Sequence, residues 1–214
     1  MNVSPAATKS FAVGAPLALA IVELFHPHPH DLVEVDLQRW MAVHYAQMAL
    51  FPLAALAECA LVAGTSGAAA ALCRVAMFIF AVSYVAFDTA AGVVTGVLVQ
   101  GARASAGVDA WRPAIQAIWN HAVVGGSSDG TPALAVMGTT AWLVGTLAAA
   151  VACWRTSRSW AATAALVVSA FGLLVFRTHA WPGGPLSFGA IAVAAAVLRP
   201  RPKRQCPYGA PVRR

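Results

Sequence analysis

Six histidines and eight carboxylates are spread thinly over 214 residues, 59% of them hydrophobic. Three of the histidines nevertheless fall together, in Glu23-Leu-Phe-His-Pro-His-Pro-His-Asp31. Imidazole suits zinc and copper, and a carboxylate can complete the ligand set. In an extended backbone His26, His28 and His30 point the same way. In polyproline II geometry they fan out, so the run alone does not secure a tridentate site. The stronger form of the idea takes one or two of them together with His44, Asp88, His121 or His179. Three histidines and a carboxylate around a water would activate a nucleophile. No HExxH or comparable helical ligand spacing is present, which places the signal well below a zincin motif. Haem ligation by two histidines ranks lower still, because only His44 falls inside an apolar span.

The elements that must position these groups follow from composition. Charged residues make up 10% of the chain and mean hydropathy is +0.70, where a soluble domain carries about 25% charged residues. Long apolar runs of this kind predict an all-α, polytopic integral membrane bundle. Six spans are expected, at about 11–26, 39–63, 72–99, 133–154, 160–177 and 184–198. They form one transmembrane domain over 1–198, followed by a basic tail over 199–214. Ala18-Leu-Ala20 has the small-residue form of a signal-peptidase site but lies in mid-run, so the first span is read as uncleaved. His26 and His28 precede prolines, which end the first helix. Asp31-Leu-Val-Glu34 has capping-box spacing, so the second helix is expected to start at Asp31. Residues 111–123 carry Trp111, Ile115, Ile118, Trp119 and Ala122 on one face, predicting a short outer helix lying in the membrane interface.

Excess Lys and Arg mark cytoplasmic loops. Arg155 and Arg158 between the fourth and fifth spans, the basic tail, and Lys9 fall on one side of a six-span chain. Both termini are therefore expected in the cytoplasm, in the plasma (inner) membrane. The tail should meet anionic lipids. No aromatic or glycine-rich recognition motif accompanies it, so nucleic acid is not an expected partner. All six histidines then gather at the outer face, and Cys59, Cys73, Cys153 and Cys206 toward the cytoplasm. The cysteines show no CxxC spacing and read as small apolar fillers plus one tail thiol. The only lysines, Lys9 and Lys203, lie outside the spans, which excludes an intramembrane retinal Schiff base.

Ionisable residues inside a span face the bundle interior. Trp40, His44, Gln47, Phe51 and Glu58 share one stripe of the second helix; Arg74, Tyr84, Asp88 and Thr95 share one of the third. At about 1.5 Å per residue from the tight turn Gly64-Thr-Ser-Gly67, Glu58 meets Arg74 and His44 meets Asp88. The first pair reads as a structural ion pair. The second reads as a catalytic or metal-binding pair, extended by Gln47 and Tyr84. The sequence thus points to an outward-facing His/Asp pocket for a divalent transition metal, zinc or copper, in a membrane metalloenzyme or metal-handling protein. Two alternatives stand beside it: a non-catalytic accessory or assembly subunit with a membrane-protein partner, and a proton-coupled small-molecule carrier. The carrier reading lacks the internal repeats usual in that class.

Overall fold

Residues 4–105, 107–127 and 131–198 are described in the computed structural model; the basic tail over 199–214, with Lys203 and Cys206, lies outside them. Ser4 opens the first helix, α1 (Pro5–Leu24), its hydroxyl accepting from the Ala7 amide at 3.1 Å, with Pro5 in the first turn. The turn over Pro5–Ser10 makes this helix 20 residues long, enough for a bilayer. It stops at the His-Pro run, as the prolines require.

The next start differs from expectation. Asp31 caps only a 3₁₀ turn, Leu32–Glu34, by accepting from the Val33 amide at 2.9 Å. The second helix, α2 (Leu37–Leu61), begins behind Asp36, which accepts from the Arg39 amide at 3.1 Å. The Arg103 side chain holds this turn in place by donating to the carbonyls of Val33 and Val35. A local capping signal was outcompeted by a donor 70 residues away in sequence.

Gly64 and Gly67, both at positive φ (70° and 105°), turn the chain between α2 and α3. The helix α3 (Ala68–Asp88) runs through a π-turn, Thr89–Val94, into α4 (Thr95–Ala104), giving 37 helical residues without a break. A short helix, α5 (Arg112–Trp119), precedes α6 (Ala133–Ser157), α7 (Trp160–Phe176) and α8 (Gly183–Val197). Among the described residues there is no strand.

Helices α1, α2, α3–α4 and α6 are long and apolar enough to cross a membrane; α7 and α8 are apolar but have 17 and 15 residues. Each of these packs beside its chain neighbour, and α8 returns against α1, closing the ring α1–α2–α3–α6–α7–α8. Phe51, Phe80, Trp142 and Phe188 fill its middle, with ring centroids 4.7–6.1 Å apart. Polarity is inverted relative to a water-soluble protein. Glu23, His44, Gln47, Glu58 and Asp88 are buried, while Phe78 (69% exposed), Val175 (65%) and Leu56 (58%) face outward. A bundle that meets lipid is built this way, because only the interior can satisfy polar groups.

Helix α5 is shorter than the expected 111–123 helix and differently used. Ile115 is buried, and Trp111 and Trp119 pack with it on Leu32, Val35, Trp40, Val99 and Ala102. Much of the apolar stripe expected to lie on lipid therefore covers the protein itself. An ion pair from Arg112 to Asp31, at 2.9 Å, ties α5 to the His-Pro run.

Candidate functional site

The π-turn follows Asp88 directly and sets the local geometry. One extra residue per turn rotates the helix face and loosens its hydrogen-bond ladder, which is why such turns recur at functional sites. Here the Gly92 carbonyl accepts from the Trp40 indole at 2.8 Å. Because Gly92 has no side chain, the His44 ring comes close against its backbone; a Cβ there would stand 1.8 Å from His44 Cδ2. The Trp40 ring packs on His44, with centroids 4.3 Å apart.

The hydrogen bonds assign the tautomer of His44. Nδ1 lies 2.7 Å from the Trp40 carbonyl oxygen, which only accepts, so Nδ1 carries the proton and the neutral ring keeps its lone pair on Nε2. That lone pair faces Asp88 Oδ1 at 3.8 Å, too long for a hydrogen bond. The same reasoning applies to His26, whose Nδ1 is 3.0 Å from the Pro27 carbonyl oxygen. Its ring packs 5.0 Å from His44 and 5.0 Å from His179, centroid to centroid. Below them Gln47 donates to Glu23 Oε1 at 2.8 Å.

Five buried atoms in this cluster have no hydrogen-bond partner: Glu23 Oε2, His26 Nε2, Gln47 Oε1, Asp88 Oδ2 and His179 Nε2. They come from α1, the His-Pro run, α2, α3 and the turn between α7 and α8. Buried polar atoms are normally paired, and each orphan costs about 1–3 kcal/mol. Neither carboxylate has a lysine or arginine partner among the described residues. Among the same residues, no three His, Cys, Asp or Glu side chains are yet gathered as a ready ligand set.

Of the residues singled out in the sequence, His26, His44, Gln47, Asp88 and His179 come together. Tyr84 contributes its ring, 5.7 Å from that of His179, but its hydroxyl pairs with Thr139 on α6 at 2.9 Å. His28 is exposed, with its ring 5.8 Å from that of His26. His30 lines a separate open depression of about 520 Å³ with Asp31, Arg112, Gln116 and Asn120. His121 is exposed at the end of α5, its Nδ1 accepting from the Val123 amide.

The ion pair expected between Glu58 and Arg74 is not formed. Glu58 accepts from Thr146 on α6 at 3.2 Å, and Arg74 donates to the carbonyls of Val62 and Thr65 at 3.1 and 3.2 Å. Arg74 is exposed and reaches the open carbonyls at the end of α2, whereas Glu58 is sealed inside the ring. Equal depth did not mean the same side of the helix.

Glu23 is the member that pattern reading left without a role. A carboxylate in the last turn of an apolar helix, three residues before His26, was the available signal. Its environment depends on α8, where Gly184 lets the Glu23 side chain pass. The π-turn had no comparable signal in the sequence.

Burial pushes His26 and His179 down to about 2 and about 3, helped in both cases by the neighbouring imidazoles. An unfolded histidine titrates near 6.5. The unfolded chain therefore binds more protons below that pH, so this contribution is complete above about pH 6.5 and is lost as pH falls toward 3. At pH 5.5 each histidine should cost about 1.4 kcal/mol of stability. Thermal melts in detergent should show a lower Tm at pH 5.5 than at pH 7.5, with a smaller drop in His179→Gln. A pH-independent Tm would show that the two rings are not held neutral.

No protein-family model matches the chain, and neither a curated protein nor a solved structure matches it.

Proposed function

We propose that the chain is a six-span protein of the plasma (inner) membrane that binds a divalent transition metal, zinc or copper, near its outer face. His44 and Asp88 form the centre; His26, His179 and Glu23 are the candidates to complete the set. The observation that carries this reading is the cluster of buried polar atoms without hydrogen-bond partners. A cation shared by several of them, with the His26 and His44 Nε2 lone pairs among its ligands, would satisfy such atoms. Two ligands each about 2.0–2.2 Å from a shared ion stand no more than ~4.4 Å apart, and His44 Nε2 and Asp88 Oδ1 are 3.8 Å apart. The Trp40 carbonyl fixes the His44 tautomer that a metal needs, as a hydrogen bond on the second ring nitrogen does in known sites. Glu23, Gln47, His44 and Asp88 are all buried, which favours handling of the ion over hydrolysis of an organic substrate.

In this reading α7 and α8 complete six spans, both termini are cytoplasmic, and the His-Pro run with α5 covers the site from outside. Metal analysis of the detergent-purified chain tests it. Wild type should hold about one equivalent, and His44→Ala and Asp88→Asn should weaken binding by about 10- to 100-fold. In right-side-out vesicles an impermeant chelator should strip the ion. Absence of stoichiometric metal, or variants that bind as wild type, would overturn the reading. A fixed protein partner on metal-free protein would favour the accessory-subunit alternative.

A further inference from the structure

A groove of about 630 Å³ opens on the outside of the bundle where α6 meets α7, lined by Trp154, Trp160, Thr163, Ala164, Val167 and Val168. It lies at the end of α7 away from His179 and shares no residue with the histidine cluster. The α7 positions recur at the three- and four-residue spacing of one helix face. They run for about 12 Å from the first residue of α7. The hydrocarbon of one membrane leaflet is about 15 Å deep, so the groove has the reach of a single acyl chain.

Its two tryptophans are exposed, and both lie at the end where α6 stops and α7 starts. Tryptophans at helix ends mark the headgroup level of a membrane. A fixed positive charge lies at that same end. The Arg158 guanidinium sits over the Trp154 ring, 5.5 Å from its centroid. Arg158 is exposed, and among the described residues no carboxylate pairs with it. Stacking on a ring leaves the in-plane N–H donors of a guanidinium open to an acceptor.

Lipid contact in general accounts for an apolar helix face. It does not account for a chain-length groove that ends at an unpaired arginine held on a tryptophan. We propose that this groove binds one anionic phospholipid. An acyl chain lies along Ala164, Val167 and Val168, and the phosphate meets Arg158 at the level of Trp154 and Trp160. A lipid of net negative charge is preferred over a zwitterionic one, whose ammonium group offsets the attraction to Arg158. This site is separate from the basic tail and from the metal site proposed above.

The test is native mass spectrometry of the full chain in detergent, with equal amounts of dioleoyl phosphatidylglycerol and dioleoyl phosphatidylcholine. The wild type should retain one phosphatidylglycerol, favoured over phosphatidylcholine by about fivefold. Arg158→Gln should lose most of that preference while still retaining lipid. Arg177→Gln is the matched control, also exposed and left-handed but at the other end of α7, and should behave as wild type. Ala164→Trp fills the groove from an exposed position and should remove the bound lipid of either kind. Glycerol 3-phosphate, the headgroup without chains, should not compete. Thermal melts of each variant separate loss of the site from loss of fold, and the wild-type preference needs no variant. Equal retention of the two lipids by the wild type would overturn the proposal. So would a preference unchanged in both Arg158→Gln and Ala164→Trp, which would place the lipid on the basic tail. A dimer that Ala164→Trp dissociates would assign the groove to a second copy of the chain instead.

Discussion

Gly184→Ala should leave little folded protein. A Cβ at position 184 would stand 1.6 Å from the His179 carbonyl oxygen and 3.0 Å from Glu23 Cγ. The first atom is backbone, so no rotamer change relieves the clash. Gly184 also donates to the Ala180 carbonyl at 3.0 Å, which holds the turn tightly on itself. The turn would have to open, and His179 would leave the cluster with it. A cost above about 4 kcal/mol follows, in the range reserved for core and backbone disruption. Gly189→Ala is the matched control, because a Cβ there meets nothing within 4 Å. Gel filtration and thermal melts in detergent should show Gly184→Ala aggregated or strongly destabilised, and Gly189→Ala close to wild type. A Gly184→Ala protein melting within a few degrees of wild type would mean that the α7–α8 turn is not packed this way.

Gly92→Ala should act on the site itself. The new Cβ would fall 1.8 Å from His44 Cδ2 and 2.6 Å from Nε2. The ring has no escape, since its Nδ1 is bonded to the Trp40 carbonyl and the Trp40 ring lies 4.3 Å away. Trp40 in turn is held by the Gly92 carbonyl at 2.8 Å. Pushing His44 aside therefore strains Trp40 as well and separates Nε2 from Asp88. Overpacking of this kind costs about 1–3 kcal/mol, and the loss of buried hydrogen bonds adds to it. If the proposed metal site is real, its affinity should fall with it. The diagnostic is the pair with His44→Ala, which removes the obstructing ring. Stability of the double variant should exceed the additive expectation by about 1–3 kcal/mol. Strict additivity would show that Gly92 and His44 are not in contact.

Much of the architecture was legible because lipid-facing helices obey a simple solvent rule. The apolar runs located every long helix, the His-Pro run marked the break after α1, and equal depth paired His44 with Asp88. Depth along two antiparallel helices follows from rise per residue and turn length alone. Rotation about each helix axis does not, and there the same arithmetic failed for Glu58 and Arg74. Their side chains leave by different faces, one into the ring and one toward helix-end carbonyls. The start of α2 failed for a related reason. Asp31 has the correct capping chemistry, but Arg103 and Arg112 bind the segment from elsewhere in the chain.

The amino-acid sequence by itself determined that this chain is an all-helical bundle with buried polar groups and a histidine-bearing break after its first helix. Composition and period suffice for that, because both express local solvent preference. Only the tertiary structure decided which polar groups meet. Closure of the ring by α8 against α1 brings Glu23 and His179 to His44 and Asp88. The π-turn turns Gly92 toward α2, where its carbonyl accepts from the Trp40 indole. Each of these depends on helix rotation and on residues far apart in the chain. The pattern of any one helix contains neither.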